Sequence, residues 1–218
     1  MEQDQKIALV IGASRGLGYA TALQLADRGY HIIALARTVG GLEELADLVE
    51  AKGQSITLVP LDITDEGGLQ RLCLSIFERW GKLDLLIHCA VHAPLLTPAS
   101  ELTEGDFDKT FAINARATAR IIALTAPLLR VGEDGTAIFM DDPHEGEKFF
   151  AAYGASKAAA RSLVQSWQAE TTKLKPRVIL HTPNPMPTAP RARFHPGEDK
   201  SGLATPKDEA KRMLNAYL

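Results

Sequence analysis

A tyrosine and a lysine four residues apart, Tyr153 and Lys157, are the pair in this chain best suited to acid–base chemistry. In a helix, side chains at positions i and i+4 lie on one face. A free phenol has a pKa of about 10 and exchanges protons poorly near neutral pH. A nearby ammonium group favours the phenolate and lowers that pKa. The spacing therefore predicts an activated phenol; the alternative is a chance pairing on a helix surface.

A second candidate site is the glycine-rich run at residues 12–18, GASRGLG. It follows the β-branched apolar run Ile7–Ile11 and opens a segment with helical spacing. The amino terminus of a helix offers free N–H groups and a positive dipole end, which suit a pyrophosphate. A tight strand-to-helix turn also favours glycine, but this position in the first βα unit favours a nucleotide site. Together with Tyr153 and Lys157, the run indicates hydride chemistry on a nicotinamide cofactor.

The elements that must position these residues alternate along the chain. The predicted strands are Ile7–Ile11, His31–Ala36, Ile56–Val59, Leu83–Cys89, Thr136–Met140 and Arg177–His181. The predicted helices are Leu17–Arg28, Gly41–Lys52, Glu66–Trp80, Glu104–Arg130 with a bend near Pro127, Phe150–Lys173 and Pro206–Leu218. Apolar strands that alternate with helices indicate a parallel sheet covered on both faces. We expect an α/β fold, a Rossmann-like doubly wound parallel sheet of about six strands with its ligand at their carboxyl ends.

The chain reads as one domain over residues 1–218, because it shows no internal repeat and no low-complexity linker. One segment differs from the rest. Residues 183–206 hold six of the twelve prolines, together with Arg191, Arg193 and His195. We predict an irregular loop or lid there that shapes the substrate site.

Composition narrows the possible partners. Apolar residues make up 45% and charged residues 23% of the 218 residues, and the net charge of −3 predicts no nucleic-acid or membrane partner. No apolar run is long enough to span a bilayer, and the polar start at residues 1–5 predicts no export signal. We therefore expect a cytoplasmic protein in which Cys73 and Cys89 remain thiols. No His/Cys cluster has the spacing of a zinc site, so no metal is predicted.

The glycine spacing G-x-x-x-G-x-G followed by Tyr153-x-x-x-Lys157 resembles the short-chain dehydrogenase/reductase family, over nearly the whole chain. The resemblance implies that Tyr153 exchanges a proton with the substrate oxygen and that Lys157 also bonds the nicotinamide ribose. It further implies that Asn114 holds a proton-relay water and that Thr188 contacts the nicotinamide carboxamide. The cofactor-binding residues it implies are Gly12, Ser14, Arg15, Gly16, Leu17, Gly18, Arg37, Thr38, Asp62, Ile63, Cys89, Ala90, Tyr153, Lys157 and Thr188.

The choice of nicotinamide depends on the residues after the second strand. Sites that prefer NAD usually place an acidic residue there to bond the ribose 2′-hydroxyl. Here the sequence is Ala36-Arg37-Thr38, and Arg15 lies inside the glycine loop. Two guanidinium groups and a hydroxyl suit a 2′-phosphate, so NADP(H) is expected over NAD(H). The alternative is that Arg37 is only a solvated turn residue.

The family's catalytic serine has no counterpart in this chain. Alignment of the fifth strand places Asp142, or Asp141, at that position, and no Ser or Thr lies between Thr136 and Ser156. An ionised carboxylate cannot donate a hydrogen bond to a carbonyl, and it would raise the Tyr153 pKa. A protonated Asp142 could still donate, and His144 could serve if its loop folds inward. The sequence does not choose between these two possibilities.

Other departures weaken the match. The family's Asn-Asn-Ala-Gly is here His88-Cys89-Ala90-Val91, where valine is expected to crowd the adenosine side, and we expect the family's usual seventh strand to be absent. The leading hypothesis is an NADPH-dependent oxidoreductase acting on a carbonyl or alcohol, with Asn114, Asp142, Tyr153 and Lys157 as catalytic residues. The alternatives are an NADP(H)-binding sensor or assembly protein without turnover, and a scaffold that binds no nucleotide.

The remaining candidates favour structural roles. His88, His92 and Cys89 are expected to be core residues rather than catalysts. Arg191 and Arg193 suit either an anionic substrate or a solvated basic loop. The two long predicted helices, Glu104–Arg130 and Phe150–Lys173, resemble those that pair in family dimers, so a homodimer is expected.

Overall fold

The computed structural model describes residues 5–218. Residues 1–4 of the polar amino-terminal segment, and with them most of the prediction made for it, lie outside the described residues. Six strands form one parallel sheet in the order β3-β2-β1-β4-β5-β6. They are β1 (Lys6–Ile11), β2 (Tyr30–Ala36), β3 (Ile56–Pro60), β4 (Leu85–His88), β5 (Thr136–Met140) and β6 (Arg177–His181). The predicted Rossmann-like fold is confirmed. No seventh strand occurs within the described range.

The sheet is buried on both faces because side chains of each strand alternate between two apolar layers. In β1, Ile7, Leu9 and Ile11 pack with the helices of one face, whereas Ala8 and Val10 pack with those of the other. All five side chains are at most 1% exposed. Loss of water from so many apolar groups is the main force that holds the helices on the sheet.

Eight α-helices lie within residues 5–218. They are α1 (Gly16–Ala26), α2 (Val39–Glu50), α3 (Glu66–Trp80), α4 (Glu104–Phe111), α5 (Ala117–Val131), α6 (Ala151–Glu170), α7 (Ala189–Phe194) and α8 (Pro206–Tyr217). Apolar residues of α1, α2 and α8 share one core cluster with the sheet, and those of α3, α5 and α6 share the other. None of the helices in residues 5–218 is long and apolar enough to cross a membrane.

The helix predicted over Glu104–Arg130 is interrupted, but not at its proline. Pro127 lies within the regular helix α5. The interruption is a π-helical turn, Ala112–Arg116, between α4 and α5. Such a turn accommodates one extra residue in the helix and often marks a functional position. It contains Asn114, one of the predicted site residues.

The segment at residues 183–206 is largely irregular, as its prolines predict, but it contains the six-residue helix α7. Pro190 stands in the first turn of α7, where a missing N–H costs nothing. The helix carries Phe194, which is 6% exposed and packs against the apolar cluster around Tyr153. The segment is therefore anchored over the carboxyl end of the sheet.

Candidate active site

A cavity of about 490 Å³ lies at the carboxyl ends of the strands, where the strand order reverses between β1 and β4. Doubly wound sheets bind ligands at this reversal because the two flanking loops diverge there and leave a crevice. All of the predicted catalytic and cofactor-binding residues line this one cavity. The fold thus brings together residues from position 12 to position 188.

The glycine loop is shaped for close contact with a ligand. Gly12 has φ +89°, and a Cβ there would lie 2.8 Å from the backbone nitrogen of Ala90. A Cβ on Gly18 would lie 2.3 Å from the carbonyl oxygen of Gly12. Only glycine fits at either position. No side chain caps the first turn of α1 at Arg15, so its N–H groups stay available for a pyrophosphate, and the loop fits a dinucleotide.

The end of the cavity next to β2 and β3 carries two arginines and Asp62, a carboxylate that is already hydrogen-bonded. Arg15, Arg37 and Thr38 are exposed at its rim. Asp62 accepts hydrogen bonds from the backbone nitrogen and hydroxyl of Thr64 at 2.9 and 2.8 Å. Arg37 Nη1 lies 3.4 Å from Asp62 Oδ2. Burial acts to raise the pKa of Asp62, but the bonds from Thr64 and Arg37 outweigh it and lower that pKa.

Of the two aspartates after β5, Asp142 is the one that contacts Tyr153. Tyr153 Oη donates to Asp142 Oδ2 at 2.6 Å, and Tyr153 is 2% exposed. Burial, followed by the charge and hydrogen bond of Asp142, raises the pKa of Tyr153 well above its ordinary value. The expectation that Lys157 leaves the phenol with a lowered pKa is therefore wrong for this conformation. Burial and the carboxylate prevail over the ammonium.

Lys157 is held by the backbone rather than by the tyrosine. Its Nζ donates to the carbonyl oxygen of Met140, at the end of β5, over 2.6 Å. The residue is 8% exposed. Burial lowers the pKa of Lys157, whereas Asp141 and Asp142 act in the opposite direction. The carbonyl at the strand end fixes the ammonium beneath the carboxylates.

Asn114 uses its whole side chain for structure. Oδ1 accepts from the backbone nitrogen of His92 at 2.7 Å, and Nδ2 donates to the His92 carbonyl at 2.9 Å and to Ser156 Oγ at 3.0 Å. The backbone carbonyl of Asn114 accepts from Thr118 Oγ1 at 2.8 Å. Both N–H groups of the amide are thus engaged and its oxygen already accepts one hydrogen bond, so a relay water could bond only to the remaining lone pair of Oδ1 or to the backbone carbonyl.

Asp141 is buried and helps to position the backbone of Asp142. It is 7% exposed and accepts from Arg161 Nε at 2.8 Å and from the backbone nitrogen of Asp142 at 2.9 Å. Arg161 also bonds Glu145. Sequence reasoning did not single out Arg161, although it stands four residues after Lys157 and so shares the helix face of the Tyr/Lys pair.

His144 lies inward, one of the two possibilities that the sequence left open. Its Nε2 is 3.2 Å from Asp142 Oδ1, and its Nδ1 is 2.8 Å from Glu147 Oε2. The ring stacks on Phe150 with centroids 4.3 Å apart and an angle of 9° between the planes. Glu147 was not among the predicted residues, because nothing in its sequence position shows that the turn brings it to His144.

The histidine and cysteine after β4 behave as core residues. His88 Nε2 is 3.3 Å from Thr118 Oγ1, whereas Nδ1 has no hydrogen-bond partner among the described residues. Burial, with Lys157 nearby, lowers the pKa of His88 to about 3. Burial raises the pKa of Cys89 to about 12, so this thiol is a poor nucleophile.

Aromatic residues close the cavity above the tyrosine. The ring of Phe194, from α7, is 4.7 Å from that of Tyr153 and 5.0 Å from that of Phe150, each in an edge-to-face arrangement. Val91 packs against the same cluster. Arg191 bonds Glu198, and Arg193 donates to the Ala93 carbonyl at 3.0 Å. The two arginines of this segment are thus engaged within the chain.

Known proteins share both the sequence pattern and the fold. Residues 6–199 match the profile of the short-chain dehydrogenase family. A sorbitol dehydrogenase from Cereibacter sphaeroides is 32% identical over 169 residues, which cover 76% of this chain and 64% of that enzyme. The chain thus spans less than two thirds of that relative.

Solved structures give longer matches. A short-chain dehydrogenase from Salmonella enterica serovar Typhi superposes with a TM-score of 0.91 at 26% identity, covering 98% of this chain and 91% of that one. One from Escherichia coli CFT073, complexed with NADPH, has a TM-score of 0.89 at 28% identity, covering 98% and 92%.

Proposed function

The chain belongs to the short-chain dehydrogenase/reductase family, and we propose that it is an NADP(H)-dependent oxidoreductase that exchanges hydride with a carbonyl or alcohol substrate. In this proposal Asp142 stands where the family usually carries a serine. The single observation that carries it is the 2.6 Å hydrogen bond between Tyr153 and Asp142 in the cavity that the glycine loop enters. A small-molecule substrate is expected to enter beneath Phe194.

The cofactor assignment is supported by the fit of the cavity and by two arginines. The absent Cβ atoms of Gly12 and Gly18 leave room for a pyrophosphate against the backbone. Arg15 and Arg37 stand at the rim with no acidic residue directly after β2. Bound NADPH would supply the hydride. The complex of the Escherichia coli relative with NADPH supports NADP(H) over NAD(H).

The proton chemistry falls to residues of this chain. Burial and Asp142 keep Tyr153 protonated at neutral pH, the form needed to give a proton to the oxygen of a carbonyl as it is reduced. Lys157, fixed by the Met140 carbonyl, supplies the nearby positive charge that favours the phenolate once the proton has left. Asp141 and Arg161 hold Asp142 in place.

The test is NADPH oxidation, followed at 340 nm, with 9,10-phenanthrenequinone as a carbonyl probe. We expect Tyr153→Phe to lower kcat by about a hundredfold or more, since proton transfer typically contributes that factor. NADPH binding should remain within about twofold of the wild type, because only the hydroxyl is removed. Turnover that persists in Tyr153→Phe would refute the proposal.

One observation favours a second candidate function, an NADP(H)-binding sensor or assembly protein without turnover. Tyr153 is bonded to a carboxylate and covered by Phe194, so its hydroxyl is not free for a substrate in this conformation. Asp142→Ser separates the two functions. Gain of carbonyl reduction would support a former catalyst that has become a sensor, whereas loss would show that Asp142 works as it stands.

The assembly and location belong to the same proposal. A homodimer paired through the two long helices predicted at Glu104–Arg130 and Phe150–Lys173 remains a prediction, as does a cytoplasmic location. Light scattering on the purified chain would decide the first.

A further inference from the structure

We propose that Tyr153 recovers its proton from solvent through three side chains in series, Asp142, His144 and Glu147. This inference rests on the proposed function, because it supplies the step that must follow each proton transfer to a substrate. Once Tyr153 has given up its proton, a phenolate would be left beside a carboxylate. Two negative charges in contact are unfavourable, so the site requires a nearby route for a replacement proton.

The four residues form an unbroken chain of contacts. Tyr153 Oη meets one oxygen of Asp142 at 2.6 Å, and the other oxygen of Asp142 lies 3.2 Å from His144 Nε2. His144 Nδ1 then lies 2.8 Å from Glu147 Oε2. Asp142 and His144 each use one atom for the contact on one side and a second atom for the contact on the other side. A proton can therefore enter His144 at Nδ1 and leave from Nε2, whereas the Asp142 carboxyl must turn to carry its proton from His144 to Tyr153.

The chain of contacts leads out of the cavity. Tyr153 is 2% exposed, and the side chain of Glu147 is 52% exposed. Asp142 and His144 line the cavity, whereas Glu147 does not. The side chain of Asp142 is itself 44% exposed but lines the cavity, so a ligand that fills the cavity would shield it from solvent. In that complex Glu147 becomes the solvent end of the relay.

The loop is built to hold the histidine ring. The 4.3 Å parallel stack on Phe150 fixes the plane of the ring. The backbone nitrogen of Glu147 donates to the His144 carbonyl at 3.3 Å, and that of Phe150 donates to the Glu147 carbonyl at 3.2 Å. Phe149 is held at φ +73°, which is unusual for a bulky residue. Strained backbone persists where surrounding structure demands it, often at functional sites.

Charges around the relay come from three elements. Asp142 and Glu147 face His144 directly, and Glu145 interacts with it through space. From α6, Arg161 neutralises Glu145 and Asp141. From α7, Arg191 interacts with Asp142 through space. His144 thus lies between the carboxylates of Asp142 and Glu147, and the negative charges of the nearby Asp141 and Glu145 are partly neutralised by Arg161. Within residues 5–218, His144 is the only imidazole in direct contact with Asp142.

The proton balance is simple. After Tyr153 has given its proton to the substrate oxygen, His144 passes its Nε2 proton to Asp142 Oδ1. The carboxyl group turns about its soft Cβ–Cγ bond and passes that proton to Tyr153 Oη. The Glu147 carboxylate accepts a proton from solvent and passes it to Nδ1 of His144. Exchange with solvent restores the starting tautomer of His144, and the net change is one proton from water to Tyr153.

The test compares His144→Ala, His144→Gln and Glu147→Gln with the wild type, using NADPH and 9,10-phenanthrenequinone. We expect each His144 variant to lower kcat by about tenfold or more, and Glu147→Gln to lower it by a smaller factor. NADPH affinity should stay within about twofold. Added imidazole should restore part of the kcat of His144→Ala, which a merely structural role would not allow. The control Glu133→Gln removes an exposed carboxylate far from the site and should leave kcat unchanged.

Wild-type kcat in both His144 variants, or a loss in His144→Ala that imidazole does not rescue, would overturn the relay. If the wild type itself shows no turnover, the proposed function fails, and nitrogen-15 spectra of the histidines still decide on the relay contacts. Asp142→Asn and Glu147→Gln should then each shift the His144 resonances, whereas Glu133→Gln should not. Unshifted His144 resonances in both variants would refute the relay.

Discussion

The phenolic oxygen of Tyr153 lies 2.6 Å from Oδ2 of Asp142, the residue that we propose stands where the family usually carries a serine. A serine would share its hydrogen bond with both tyrosine and substrate, but an ionised carboxylate only accepts. The contact thus holds the phenolic proton in place and raises the Tyr153 pKa together with burial. The site is arranged to keep an acid protonated.

Replacing Asp142 by serine should therefore change the pH dependence of alcohol oxidation, which needs the phenolate. The wild-type rate should rise only at high pH, because the Tyr153 pKa is raised. Removing the carboxylate lowers that pKa, although burial, the largest cause, still keeps it above its ordinary value. The rise should move to lower pH in Asp142→Ser and stay in place in Asp134→Asn, an exposed control. An unshifted profile would mean that Asp142 does not govern Tyr153.

Arg37 is expected to select NADPH over NADH. Arg37→Ala should raise the Kd for NADPH by about tenfold, roughly the value of one charge-assisted hydrogen bond, and leave the Kd for NADH unchanged. Calorimetry with both nucleotides measures the two constants. Arg130→Ala, exposed at the end of α5, is the matched control. Equal losses for both nucleotides would show that Arg37 does not recognise the 2′-phosphate.

Gly18→Ala should abolish nucleotide binding and destabilise the fold. The new Cβ would lie 2.3 Å from the Gly12 carbonyl, so the loop or α1 must shift, at about 1–3 kcal/mol. Gly40→Ala is the control, because nothing lies within 4 Å of its Cβ position in α2. That control should be neutral or slightly stabilising. Thermal melts with and without NADPH test both variants, and normal NADPH binding by Gly18→Ala would contradict the predicted cradle.

His88 should make the fold sensitive to acid. Its folded-state pKa is lowered to about 3, whereas in the unfolded chain it is about 6.5. The unfolded state therefore binds the proton first, so this contribution to stability is complete above about pH 6.5 and falls as the pH drops towards 3. The slope approaches about 1.4 kcal/mol per pH unit. Urea unfolding from pH 7 to 4 should show a shallower decline in His88→Asn; parallel curves would rule out His88 as the cause.

The sheet could be predicted because each strand is a short, largely apolar run, as in Thr136–Met140, whose predicted bounds match the observed strand. The positions of Tyr153 and Lys157 on one helix follow from spacing alone. Other contacts leave no trace in the sequence. Lys157 bonds a backbone carbonyl, which every residue carries, and the π-helical turn at Asn114 depends on tertiary bonds to His92 and Ser156.

The inward position of His144 could not be predicted from the sequence either. The ten-residue connection between β5 and α6, residues 141–150, contains Gly146 and two phenylalanines and permits several conformations, and stacking on Phe150 selects one only after α6 is in place. The choice between Asp141 and Asp142 likewise depends on the end of β5. Asp141 is buried against Arg161, which leaves Asp142 to face the tyrosine.

Helix α7 has a consequence for the order in which ligands bind. Its capping residue, Thr188, lies next to the glycine loop, 3.6 Å from the Cβ position of Gly16, and its last residue, Phe194, rests on Tyr153. A helix of six residues moves as one piece, so a nucleotide that draws Thr188 inward would also shift Phe194. We expect a compulsory sequence in which nucleotide enters first and the second reactant follows. Product-inhibition kinetics, with NADP competing against NADPH alone, would reveal it.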